Sequence, residues 1–95
     1  MEKNFHRYEE TATLLKSIAH PVRICIIMNL SRKKECNVTA MKCGLDLPQS
    51  TVSTHLAVLR DIGVVEPVRK GTEIYYRLRD RQIVQLLIHA GVSEE

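Results

Sequence analysis

The clearest chemical pattern in the chain is a set of short polar side chains on one predicted helix. Between positions 49 and 62, apolar residues recur with helical spacing at Val52, Leu56 and Leu59. The polar residues around them are Gln49, Ser50, Thr51, Ser53, Thr54 and His55. Side chains of this kind reach base edges in the major groove of DNA, while an apolar stripe anchors the helix. The pattern predicts a recognition helix, and its alternative interpretation is an ordinary solvated helix face.

Within this helix, a rotation of about 100° per residue places Ser50 and Thr54 opposite the apolar stripe. Thr51 and Ser53 fall on the flanks, and His55 falls nearer the buried edge. We expect Gln49, Ser50, Ser53 and Thr54 to reach the base edges. For His55 two roles stay open, a contact with DNA or a hydrogen bond to a neighbouring backbone group.

Basic side chains follow this helix along the sequence. The formal net charge is only +3, from 14 Lys and Arg against 11 Asp and Glu, so the placement of charge says more than its total. Arg69 and Lys70 stand at a predicted turn, and Arg77 lies on the strand after it. These three residues are expected to contact DNA phosphates, which position a protein without reading sequence. Arg23 and the basic run 32–34 are further candidates.

The remaining reactive groups do not form an enzyme site. Ser53 and His55 lie two positions apart on a helix, so their side chains diverge, and the sequence has no nucleophile elbow or paired acidic motif. The three cysteines, Cys25, Cys36 and Cys43, are an odd number without Cys-x-x-Cys spacing. A disulfide framework and a structural zinc site are therefore not expected.

Local signals place five helices and a hairpin. We expect helices at about 8–19, 21–30, 38–44, 49–62 and 81–90 and a β-hairpin wing at about 64–78. Pro21 suits the first turn of the second helix, Gly63 ends the fourth, and Gly71 suits the hairpin turn. The fold class is then mainly α with a β-hairpin wing: a single winged helix-turn-helix domain over residues 1–95.

The last helix carries apolar residues around most of its circumference. A domain of 95 residues can cover only one side of such a helix, so a second copy of the chain is expected to cover the other. The longest apolar run, residues 24–28, is about a quarter of the length that a membrane span needs. With no signal-peptide pattern at the N-terminus, the expectation is a cytoplasmic homodimer without a membrane partner.

Three segments together resemble a known family. They are Ala19-His20-Pro21-Val22-Arg23, the helix segment Gln-Ser-Thr-Val-Ser-Thr-His-Leu-Ala-Val-Leu at 49–59, and Gly-Thr-Glu-Ile-Tyr-Tyr-Arg-Leu at 71–78. This arrangement, over roughly residues 12 to 88, resembles the ArsR/SmtB family of bacterial repressors. The resemblance implies a symmetric homodimer on double-stranded operator DNA, released by an inducer. We expect the first and last helices to form the dimer interface.

The sensor positions of that family are altered in this chain. Asn37 and Thr39 stand where many members have a Cys-x-Cys pair, and Gln82 follows Asp80 where others have Asp-x-His. No usual family metal site is therefore intact, and the cofactor is unknown.

The three cysteines, Cys25, Cys36 and Cys43, remain candidate sensors, either by thiol chemistry or by binding a soft metal together with His6 or His20. The simpler interpretation is that they are small apolar core residues. The alternatives for the whole protein are a winged-helix regulator without its own inducer site and a protein–protein adaptor on the same scaffold.

Overall fold

The chain folds into four α-helices and a small sheet within residues 2–41 and 47–93, which the computed structural model describes. The helices are α1 (Glu9–Ile18), α2 (Pro21–Arg32), α3 (Gln49–Asp61) and α4 (Gln82–His89). The strands are β1 (Cys36–Asn37), β2 (Val65–Lys70) and β3 (Glu73–Leu78). Short 3₁₀ helices span Glu2–Tyr8 and Val38–Ala40. This order confirms the predicted winged helix-turn-helix class.

Helix α2 forms the centre of the core. Pro21 occupies its first turn, and the ring Nδ1 of His20 accepts a hydrogen bond from the backbone N–H of Val22 at 3.1 Å, which caps the helix. The helix continues to Arg32, two residues beyond the predicted end. Its buried side chains pack with those of α3 and the sheet. The largest fully buried side chains of these three elements are Ile26, Ile27, Leu30, Leu56, Leu59 and Val65.

Helix α3 has the predicted bounds to within one residue. It begins after Pro48, whose carbonyl accepts hydrogen bonds from the N–H groups of Thr51 and Val52. It ends at Asp61, and Gly63 then adopts a φ of +85°, which favours glycine. The predicted apolar stripe of Val52, Leu56 and Leu59 is buried, so the opposite face of α3 is directed outward.

The sheet has the order β1-β3-β2 and is antiparallel throughout. The prediction that Arg69 and Lys70 stand at the turn is wrong, because both belong to β2 and pair with Ile74 and Glu73. The turn itself is Gly71-Thr72, with Gly71 at a φ of +64°. The wing is therefore a tight two-residue hairpin, and its basic residues lie on a strand.

Two further differences from the sequence analysis concern the region after α2. Residues 31–37, which lie between two predicted helices, include strand β1, which pairs Cys36 with Tyr76. The predicted helix at 38–44 is a 3₁₀ helix at Val38–Ala40, where the Asn37 side chain accepts from the N–H of Ala40 at 2.9 Å. The remainder of that predicted helix, with Cys43, lies largely outside the described residues.

The terminal helices are less covered than the centre. In α1, Ile18 is buried while Leu15 is 45% exposed; in α4, Ile83, Val84 and Leu87 are buried while Leu86 is 40% exposed. Within the described chain, no single helix is long and apolar enough to cross a membrane. The helical segments 5–18 and α2 have the length and composition together, but their axes meet at an angle of 91°.

Candidate nucleic-acid interface

The outward face of α3 presents the predicted base-reading groups. Four of the six predicted residues, Gln49, Ser50, Ser53 and Thr54, are exposed, whereas Thr51 and His55 are half-buried. The Thr54 hydroxyl donates a hydrogen bond to the Ser50 carbonyl at 3.0 Å. Its oxygen keeps acceptor capacity. This face can therefore offer an amide, hydroxyl groups and a methyl to the major groove.

The start of α3 lies beside the wing. A cleft between them is lined by residues of the Val38–Ala40 helix, the first residue of α3, the hairpin turn and β3, among them Thr39, Gln49, Thr72 and Tyr76. Pro48 precedes the helix and provides no side-chain cap for its first N–H groups. Because Gln49 and the hairpin residues line the same cleft, the hairpin lies close to the end of α3 that carries Gln49 and Ser50.

The predicted phosphate-contacting residues of the wing differ in their surroundings. Arg69 is exposed on β2. Lys70 forms an ion pair with Glu35, and its ammonium group lies 5.1 Å from the centre of the Tyr75 ring. Arg77 donates to Glu66 at 2.7 Å and lies 3.8 Å from Glu35. Two of the three predicted cations are therefore already paired with carboxylates of the protein.

Sequence reasoning missed both carboxylates. Glu66 could have been found from the hairpin register, because it stands directly opposite Arg77. Glu35 precedes β1, and the sequence around Glu35 carries no signal that β1 joins the sheet beside β3. The hydrogen bond from Lys70 lowers the pKa of Glu35 below its usual 4.5, and the charges of Lys70, Arg77 and Lys34 add to this against the opposing effect of burial. Glu35 is thus held ionised at neutral pH.

His55 forms a hydrogen bond with the side chain of Arg23, whereas the sequence alone suggested a bond to a neighbouring backbone group as one of its two roles. The Arg23 Nε–H donates to the His55 Nδ1 at 3.1 Å, and the ring of His20 lies 4.4 Å away between centroids. Burial lowers the pKa of His55, and the charges of His20 and Arg23 lower it further. Arg23 also donates through Nη1 to the Ser17 carbonyl at 2.9 Å.

The described cysteines occupy different surroundings. Cys36 is 2% exposed, and burial raises the pKa of its thiol despite the opposing charge of Lys33. Cys25 is half-buried, with the Asn29 amide nitrogen 3.5 Å from its sulfur. Cys43 lies outside the described residues.

The histidines considered with these cysteines have other partners. His6 is bonded to Glu9 at 2.8 Å, and His20 caps α2. Within 2–41 and 47–93, no three His, Cys, Asp or Glu side chains are grouped so that they could hold a metal ion.

Residues 20–66 match the family model described as bacterial regulatory protein, arsR family. The chain is 44% identical over 75 residues to the transcriptional repressor PagR of Bacillus anthracis, covering 79% of this chain and 75% of that protein. It is 39% identical over 82 residues to the transcriptional repressor SmtB of Mycobacterium tuberculosis, of which it spans 60%.

Solved structures agree with this likeness. The crystal structure of PagR superposes with a TM-score of 0.74 at 42% identity, covering 87% of this chain and 98% of that one. The homodimeric winged helix-turn-helix DNA-binding domain Mb0332 of Mycobacterium bovis, described as a possible ArsR-family regulator, has a TM-score of 0.78 at 26% identity. It covers 95% of this chain and 82% of that one.

Proposed function

Because this chain belongs to the ArsR/SmtB family of DNA-binding transcriptional repressors, which are not enzymes, we propose that it binds operator DNA with α3 in the major groove. The observation that carries this proposal is the division of α3 into two faces. Val52, Leu56 and Leu59 are buried, while Gln49, Ser50, Ser53 and Thr54 are exposed together. The buried stripe fixes the helix, and the exposed groups supply hydrogen bonds to base edges.

The wing supplies contacts to the phosphate backbone. Arg69 is exposed, and Lys70 and Arg77 lie on the same hairpin. The last two cations exchange their protein carboxylates for DNA phosphates on binding. Such contacts add affinity that falls as salt rises, but they do not distinguish one sequence from another.

Two copies of the chain bind one operator, with α1 and α4 at the dimer interface. Support comes from a groove that includes residues of both helices and is lined mostly by apolar side chains, with Asp80 and Gln82 at α4; the apolar ones are Leu14, Ile62, Val64, Ile83 and Leu86. Leu86 in this groove and Leu15 on α1 are exposed. The solved relative Mb0332 is itself described as homodimeric. A two-fold symmetric pair places two copies of α3 on the DNA, which suits a palindromic operator.

An inducer acting at cysteine releases the protein from its operator. Cys25 is the most accessible described thiol, whereas Cys36 is buried with a raised pKa; a reactive thiol needs access and thiolate character. Cys43 stays a second candidate. Operator DNA lies in the bacterial cytoplasm, which is where the repressor acts.

The test uses a DNA duplex selected for binding to the protein. A duplex enriched from a random-sequence library by the wild-type protein (the selected duplex) is compared with one of equal composition in shuffled order (the scrambled duplex). Fluorescence anisotropy across a salt series should give an affinity about 10³-fold or more in favour of the selected duplex, with salt-dependent binding to both. No enrichment and no salt dependence would contradict DNA binding and would favour a protein–protein adaptor.

A further inference from the structure

Arg23 joins three helices through a single side chain. It lies in the first turn of α2, donates through Nε to His55 in the middle of α3, and donates through Nη1 to the Ser17 carbonyl at the end of α1. That carbonyl would normally bond to the N–H four residues later, but this residue is Pro21, which has none. Arg23 therefore supplies the donor that α1 lacks.

The same bond determines the protonation of His55. A guanidinium group only donates hydrogen bonds, so Nδ1 of His55 must be an unprotonated acceptor, and the proton of the neutral ring lies on Nε2. The ring of His20, whose Nδ1 accepts from the N–H of Val22, packs against the His55 ring with 4.4 Å between centroids. His55 thus has one tautomer and one orientation.

We propose that Arg23 is a positioning residue for α3: by holding His55 against α2, it sets the orientation in which Ser53 and Thr54 meet the DNA bases. These two residues immediately precede His55 on the same helix. Base readout by several short side chains needs them placed together, since a small rotation of the helix displaces all of them at once. This inference rests on the proposed function of α3 and adds the residue that holds it in place.

The competing role for Arg23 is a phosphate contact, and the two roles differ in what they affect. A phosphate contact contributes alike to every DNA sequence and to the salt dependence of binding. A positioning residue contributes to the preference for the selected duplex. Arg23 is half-buried with two of its N–H groups bonded inside the protein, which favours positioning.

A double-mutant cycle tests the proposal. Arg23→Gln and His55→Ala are each expected to lose about tenfold in affinity for the selected duplex, with little change on the scrambled duplex. The double variant should lose about as much as one single variant, because both changes remove the same contact. Arg32→Gln is the matched control, since it removes the same charge from the exposed end of α2 and should affect both duplexes equally.

A spectroscopic measurement separates positioning from a purely structural role. In ¹⁵N NMR of the folded proteins, the His55 ring should be the Nε2–H tautomer in the wild type and a mixture in Arg23→Gln. If Arg23→Gln does not fold, Arg23→Lys keeps the charge on a single donor nitrogen, and it should fold with a smaller loss of preference.

The outcomes identify which statement fails. Equal losses on both duplexes, multiplicative losses in the double variant, or an unchanged His55 tautomer would overturn the positioning role alone. A wild-type protein without any preference between the duplexes would overturn the proposed function as well.

Discussion

The carboxylate of Glu35 is paired with the ammonium group of Lys70, the wing lysine next to the hairpin turn. The same carboxylate lies 3.8 Å from Arg77, and the Glu35 side chain is only 19% exposed. One carboxylate at the edge of the sheet therefore lies against both Lys70 and Arg77, although the hydrogen bond of Arg77 goes to Glu66. A phosphate must displace Glu35 before it can take Lys70.

Replacing Glu35 with Gln should release Lys70, while Arg77 keeps its hydrogen bond to Glu66. We expect affinity for the scrambled duplex to rise and its salt dependence to steepen by about one phosphate contact, so the preference for the selected duplex falls. Anisotropy titrations on both duplexes measure this. Glu10→Gln is the control, because it removes the same charge from exposed α1 and leaves the wing pairs intact. Weaker binding of Glu35→Gln to both duplexes would instead assign Glu35 to holding the wing in place.

His55 should make stability depend on pH. Its pKa is lowered from the usual 6.5 by burial and by His20 and Arg23, so the unfolded chain binds its proton more readily than the folded protein does. The stabilising contribution is complete above pH 6.5 and is lost as pH falls through the lowered value. Urea midpoints measured against pH should therefore decline less steeply for His55→Gln than for the wild type. Identical profiles would contradict this assignment.

The two described cysteines should react at different rates. Cys36 is buried and its raised pKa leaves little thiolate, whereas Cys25 is half-buried. Iodoacetamide labelling followed by peptide mass spectrometry should modify Cys25 first and Cys36 only after denaturant is added. If Cys36 of the folded protein reacts first, the burial of this thiol in the core is wrong. The same experiment also indicates which Cys→Ser variant to test first for a lost response to inducer.

The dimer interface can be tested with one charge. Leu86→Lys places an ammonium group in the apolar groove between α1 and α4, so light scattering should show a monomer, with weaker binding to the selected duplex. Ile74→Lys is the control: Ile74 is 42% exposed, similar to Leu86 at 40%, but lies on the wing. It should remain dimeric. A dimeric Leu86→Lys together with a monomeric Ile74→Lys would place the interface on the other side of the molecule.

Elements specified by local signals were predictable from the sequence. Helix α3 has a long helical period between Pro48 and Gly63, and the hairpin has Gly71 at its turn. The end of α2 was harder to predict, because Ser31 and Arg32 are polar but simply continue the helix. Strand β1 has only two residues, too few for any alternation to be visible.

Side-chain partners that depend on tertiary contacts were not predictable. Arg23 and His55 are 32 positions apart, and each was individually a candidate for DNA contact. Glu35 reaches Lys70 only because β1 joins the sheet beside β3. The sequence pattern thus indicates which residues are polar and outward-facing, whereas the folded structure decides which of their charges are already satisfied.

The account depends most on the outward face of α3, and a Ser53→Ala, Thr54→Ala double variant tests it most directly. Thr11→Ala, an exposed hydroxyl on α1, is the control. We expect the double variant to lose about a hundredfold in affinity for the selected duplex, while its affinity for the scrambled duplex and its salt dependence stay those of the wild type. Unchanged affinity of the folded double variant for the selected duplex would contradict the assignment of α3 as the recognition helix.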